Sequence, residues 1–289
     1  MSMAILDLPP RPLARRAKGW LVATLCLFVI AAMLLPLVMS GLASFRPLAE
    51  TSAVPPTYLP SALSLENYQK VANYQQGIWV YVRNSTAVAG MTIVLCLALS
   101  VPAGFALARF PVPGKELWFL LILASMMVPY QALIVPLYLM FSKLGLTASH
   151  LGLAVLHTIL QLPFSVYLMR NSFESVPREL EEAARVDGAS TAFQLRRVFM
   201  PLAVPGMVTV ALFAFITSWN EFIGALILMN TESAFTVPIM LTGVVSGDFG
   251  SVDWGALQAS VVISMLPCLG VYLALQKYYV SGLLAGAVK

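Results

Sequence analysis

Glu221 stands in Ser218-Trp219-Asn220-Glu221-Phe222, inside a long run of aliphatic and aromatic residues. A carboxylate there costs on the order of 2.5 to 3.5 kcal/mol to insert into a bilayer. Asn220 and Glu221 therefore read either as a polar point on an inner wall or as groups satisfied by packing. The second concentration of chemistry is charged: Glu179, Glu181, Glu182, Arg185 and Asp187 lie between Pro177 and Gly188, with Arg196 and Arg197 beyond. The other candidates do not point to catalysis. Cys26, Cys96 and Cys268 fall in apolar segments without ligand spacing and read as small hydrophobes, so no metal site is indicated. His150 and His157 have no carboxylate or cysteine partner nearby in the sequence and read as structural. Gly114-Lys115 has Arg109 where a phosphate-binding loop needs its first glycine, and Glu116 follows, so no Walker site is present.

The elements that must position these groups are set by composition. Of 289 residues, 59% are hydrophobic and 10% charged, against about a quarter charged in a soluble domain; the mean hydropathy is +0.84. Lipid cannot hydrogen-bond a backbone, so continuous apolar runs of about 20 residues must cross as helices. Six are expected: Trp20–Met39, Thr86–Leu107, Leu117–Phe141, Leu151–Met169, Leu202–Met229 and Gly255–Gln276. Pro129, Pro136, Pro163 and Pro267 interrupt them and are expected to add bends.

Six spans create two sides. Arg11, Arg15, Arg16, Lys18, Arg109, Lys115, Arg170, Arg178, Arg185, Arg196, Arg197, Lys277 and Lys289 share one; Arg46, Lys70, Arg83 and Lys143 share the other. Basic residues accumulate on the cytoplasmic side, so both termini are expected there. The net charge of +4 thus marks orientation, not a nucleic-acid partner. The first run, with Gly41-Leu42-Ala43-Ser44 after it, also reads as a leader, but its length favours an uncleaved helix. The expected division is an N-terminal segment (1–19), a first transmembrane helix (20–44), an external loop (45–82), a five-helix core (83–281) with a cytoplasmic loop at 171–201, and a tail (282–289). A second external loop is expected over Asn230–Trp254.

The cytoplasmic loop reads as folded. Pro177 suits a first helical position, the acids suit a helix start, Glu181 and Arg185 pair at i,i+4, and Gly188 can close the helix left-handed. Leu180, Ala183 and Ala184 make a small apolar stripe, and Thr191 with Gln194 resembles a capping box for a second short helix. A helix lying on lipid headgroups is the plainer alternative, but three acids argue against an anionic surface. Docking into a groove of a cytoplasmic protein fits better.

Glu182-Ala183-Ala184, three residues, Gly188, nine residues, Val198, one residue, Met200-Pro201 resembles the EAA motif of permease subunits of ATP-binding-cassette importers, with Val198 and Met200 replacing Ile and Leu. Glu181, Asp187 and their neighbours are similar to the carbohydrate-importer branch. Met126-Met127-Val128-Pro129-Tyr130-Gln131, Pro136-Leu137-Tyr138, Leu162-Pro163-Phe164, Ser218–Phe222 and Gly282–Lys289 also resemble the second permease of maltose-type importers. The resemblance implies an all-α polytopic membrane protein with six transmembrane helices and the type I importer permease fold. It implies ATPase coupling through Glu181, Glu182, Ala183, Ala184, Asp187, Gly188 and Pro201. A translocation path or permease interface would lie at Trp219, Asn220, Glu221, Pro129 and Gln131, where an indole could cover a pyranose. Gly247, Asp248, Phe249 and Gly250 would face the external binding protein, and Gly286 and Lys289 the ATPase.

The implied partners are a second permease, two copies of an ATP-binding subunit, a periplasmic or lipid-anchored solute-binding protein, a carbohydrate and membrane lipid, all at a bacterial cytoplasmic membrane. ATP and magnesium would belong to the partner ATPases, and this chain would not be an enzyme. The alternatives are another solute class (polyol, glycerol phosphate, amino acid or peptide) or a secondary transporter.

Overall fold

The computed structural model describes residues 13–51, 59–246 and 252–287, and the described residues contain helices and loops but no strand. The chain opens with α1 (Leu13–Ser44), two short helices α2 (Leu48–Thr51) and α3 (Glu66–Ala72), and the long α4 (Ile78–Arg109). Then follow α5 (Lys115–Ser125), α6 (Tyr130–Lys143) and α7 (His150–Glu174). The charged loop holds α8 (Arg178–Val186), α9 (Thr191–Gln194), a π-helical turn (Leu195–Phe199) and α10 (Met200–Leu202). The last part is α11 (Val204–Asn220), α12 (Ile223–Leu228), a 3-10 turn (Glu232–Ala234), α13 (Val237–Val245) and α14 (Trp254–Ala287).

Four of these helices are long and apolar enough to cross a membrane, and the count reaches 6 if each of two bent pairs is one span. The expected third span is one of those pairs: α5 and α6 meet at 96°. Pro129 cannot donate to a helical ladder and disfavours the α conformation in the residue before it, and it stands in extended backbone ahead of α6. Pro136, Pro163 and Pro267 instead lie within continuous helices. The expected fifth span is also divided, at Glu221 and Phe222 between α11 and α12. Two boundaries also move. The second span begins at Ile78, so the expected external loop ends early, and the loop expected over Asn230–Trp254 contains α13. The backbone of the expected tail continues α14 to Ala287.

Helices α4, α7 and α11 pack together as the centre. Gly104 lets the α4 backbone approach that of α7 closely: a Cβ there would meet Met169 Cβ at 2.7 Å and the Arg170 amide nitrogen at 2.8 Å. One apolar cluster fills the end near α8 with Val101, Phe105, Met169, Phe173, Phe199 and Val210. At the far end Tyr81, Phe215, Trp219 and Met240 form another. Helix α1 packs against α14, and its side chains from Trp20 to Val38 are otherwise exposed, as a lipid-facing helix without charge in its middle requires. Its far end is held by Asn67, whose amide donates to the carbonyls of Ser44 (3.0 Å) and Arg46 (2.8 Å).

Candidate functional site

The charged helix α8 is short, and one face alone touches the rest of the chain. Pro177 is its N-cap rather than its first helical residue, so the helix starts one residue later than expected. At its other end Gly188 has φ +74°, its N–H donates to Arg185 O (3.0 Å), and that of Ala189 to Ala184 O (2.9 Å). These two bonds satisfy carbonyls that a helix end otherwise leaves orphaned. Glu182, Ala183, Val186, Asp187 and Gly188 are exposed and Ala184 is half-buried. Glu181 alone turns inward. It pairs with Arg185 at 2.5 Å, as the spacing predicts, and with Arg109 at 3.5 Å.

Arg109 ends α4, and its side chain is 5% exposed. Its guanidinium also donates to the carbonyls of Phe173 and Val176, just where α7 stops, and lies 4.9 Å from the Phe199 ring centroid. A cation there faces the negative end of the α7 dipole. In the sequence Arg109 reads only as a basic residue and as a mismatch in a phosphate loop; a lone arginine closing an apolar helix was the available signal. Nearby, Arg170 makes a fork to Glu116 (2.8 and 2.9 Å), bonds Glu174 at 2.8 Å and lies 4.0 Å from the Phe119 ring centroid, which ties α5 to α7.

The following short helix is capped by Ser190, whose hydroxyl accepts from Phe193 N at 3.4 Å. The expected cap, Thr191, is one residue too far along. Gln194 turns away from the expected capping box and donates to Ala189 O at 2.8 Å. Pro201 lies in α10 and is exposed.

The second cluster lies within the helical layer. The Glu221 carboxylate accepts from the amides of Gly224 (2.7 Å) and Ala225 (3.0 Å), which start α12, and from Tyr130 OH at 3.2 Å. His157 Nε2 lies 3.1 Å from Oε2, the oxygen that also accepts from Ala225, and Nδ1 lies 2.8 Å from Ser218 Oγ. The expectation that His157 has no carboxylate partner is thereby corrected: α7 and α11 bring together residues 64 positions apart. The series Ser218, His157, Glu221 offers no accessible nucleophile, because Ser218 and His157 are both buried, with Thr92 Oγ1 3.4 Å from the serine. The carboxylate is satisfied inside this chain, capping α12 and joining α6, α7 and α11.

Trp219 is 3% exposed, donates its indole N–H to Ser264 O at 3.1 Å and stacks on Phe215. It has no open face for a sugar in this conformation. Asn220 is exposed and bonds Ile216 O at 2.8 Å. Pro129 and Gln131 are exposed at the α5–α6 break, beside Met126, Met127 and Val128. Gly247, Asp248, Phe249, Gly250 and Lys289 lie outside the described residues; Gly286 lies on the α14 backbone. Among the described residues, no group of three His, Cys, Asp or Glu side chains could hold a metal.

Residues 100–284 match the family described as the binding-protein-dependent transport system inner membrane component. This chain belongs to that family. The permease is 32% identical over 248 residues to the diacetylchitobiose uptake system permease of Streptomyces coelicolor, covering 85% of this chain and 88% of that one. It is 32% identical to the trehalose transport system permease of Mycobacterium tuberculosis, over 96% and 99% of the two chains. Among solved structures it superposes on a chain of a bacterial ATP-binding-cassette transporter involved in import of the acidic polysaccharide alginate. There the TM-score is 0.82 at 25% identity, covering 94% of this chain and 100% of that chain. The permease is therefore a multi-pass membrane subunit of an ATP-binding-cassette importer, a transport component and not a catalyst.

Proposed function

We propose that the permease moves a carbohydrate across a bacterial cytoplasmic membrane, paired with a second, unlike permease and driven by two ATPase subunits that dock on α8. The observation that carries this reading is the form of α8: an outward surface of Glu182, Ala183, Asp187 and Gly188 on a helix whose single buried side chain is Glu181. Small residues let a groove wall close on the backbone, and the exposed acids suit a basic rim. Relatives whose names specify diacetylchitobiose and trehalose support a carbohydrate as the solute.

The α5–α6 break supports a paired arrangement. Non-helical backbone at membrane depth is tolerated only where protein or water covers it, and residues 126–129 are exposed in the single chain. A second permease, or the water-filled path between the two, supplies that cover. ATP and magnesium belong to the partner ATPases, and a periplasmic or lipid-anchored binding protein delivers the solute to the far side. Both termini lie in the cytoplasm in this arrangement, on the side of α8.

The test is purification in mild detergent with identification of co-purifying chains, followed by ATP hydrolysis assayed against a panel of oligosaccharides, polyols and amino acids. An ATPase partner that is lost in Gly188→Asp or Glu182→Lys, with stimulation by a saccharide, is the expected result. Stimulation by an amino acid alone defeats the carbohydrate assignment. Unchanged ATPase association in both variants defeats the role of α8.

A further inference from the structure

We propose that Arg109 is the positioning residue of the docking helix, fastening α8 to the ends of α4 and α7 so that the three move as one body when the ATPases act. The inference rests on the reading of α8 as the docking element and names how force leaves it.

Helix α8 spans only 9 residues and presents one buried side chain, so apolar burial holds it weakly. What fixes it is a polar junction. The Arg109 guanidinium reaches three elements at once: Glu181 on α8, and the Phe173 and Val176 carbonyls at the end of α7, while its own backbone closes α4. Phe199 of the π-helical turn covers its face. The guanidinium serves its acceptors from two nitrogens, Nη2 on the two carbonyls and Nη1 on the carboxylate; a lysine would have to reach all three acceptors from one atom. Side chains at this junction are also largely removed from water, at 5% exposure for Arg109 and 11% for Glu181, so loss of Glu181 leaves the Arg109 cation without a carboxylate partner, whereas Glu181 keeps Arg185. Beyond the junction the path is packed solid: α4 and α7 meet backbone to backbone at Gly104. Displacement of α8 reaches α7 through the three-residue link 175–177, and the guanidinium carries it to α4 while fixing the angle of that link.

The experiment uses the complete transporter with Cys26, Cys96 and Cys268 replaced. Spin-label pairs at Pro111→Cys with Val186→Cys, and at Pro111→Cys with Asn171→Cys, are compared without nucleotide and after trapping with ATP and vanadate. In the parent both pairs give one narrow distance that trapping leaves in place. Arg109→Ala and Arg109→Lys are expected to lose the single 111–186 peak. Glu181→Ala, which keeps the α7 bonds, is expected to lose the 111–186 peak and retain the 111–171 peak, and so covers the case in which Arg109 variants fail to assemble. A narrow 111–186 distance in Glu181→Ala, or in Arg109→Lys, in both states overturns the inference. Retention of the ATPase subunit by Gly188→Asp in the same preparations separates failure of the docking reading from failure of this one.

Discussion

His157 Nε2 lies 3.1 Å from the Glu221 carboxylate, an ion-pair geometry across two central helices in a region with few other charges. The carboxylate also caps α12, so one side chain both ends a broken helix and ties it to α7. Glu221→Ala leaves two amides, a tyrosine hydroxyl and an imidazole without their acceptor. Loss of a buried charged partner costs about 3 to 5 kcal/mol, and thermal unfolding in detergent should show it. Glu221→Gln keeps an acceptor and should lose less; equal losses would show that the carboxylate charge contributes nothing.

Gly104→Ala should also destabilise, because its methyl group would sit 2.7 Å from Met169 Cβ and 2.8 Å from a backbone nitrogen. Overpacking of this kind costs about 1 to 3 kcal/mol. The same unfolding assay checks it, with Gly90→Ala as the control, since nothing lies within 4 Å of a Cβ at that position.

Capping separates two neighbouring hydroxyls. Ser190→Ala should cost about 1 kcal/mol, because its oxygen accepts from Phe193 N. Thr191→Ala, whose side chain is exposed, should cost little. Proteolytic susceptibility of the segment from Ala189 to Pro201 would report the difference, and the reverse order would restore Thr191 as the cap.

Asp253, just outside the last helix, should give the fold a pH dependence. Burial pushes its carboxyl up, but the Ala256 amide, the Lys70 ammonium and the Gly255 amide together outweigh that and hold it below the ordinary carboxylate value. The folded state therefore prefers the ionised form. Its contribution is complete above the unfolded carboxylate value of about 4 and is lost as pH falls through the lower folded value. Asp253→Asn should be less stable than the parent at pH 7, and the two should converge in strong acid. A gap that persists there would assign the effect to shape instead of charge.

Much of this architecture is legible in the residues. Apolar run length locates the crossing helices, because lipid demands it, and Pro177, Glu181, Arg185 and Gly188 mark α8 through local rules of capping and spacing. What escapes is non-local. Nothing around His157 announces a carboxylate, since Glu221 arrives from another helix. Arg109 looks like one more basic residue until the end of α7 is placed beside it. The helix breaks escape for a different reason: four prolines look alike in an apolar run, yet only at Pro129 does the helix stop, while Glu221 ends one by offering its carboxylate to the next helix.

The turn between α5 and α6 bears on the life of the subunit before assembly. In the pairing proposed above, a chain without its partner would show the exposed turn at residues 126–129 to lipid, with the amides of Met126, Met127 and Val128 already satisfied by the carbonyls of Leu123, Ala124 and Ser125. Any backbone group of that turn still lacking a hydrogen bond would then meet hydrocarbon, a cost that pairing removes.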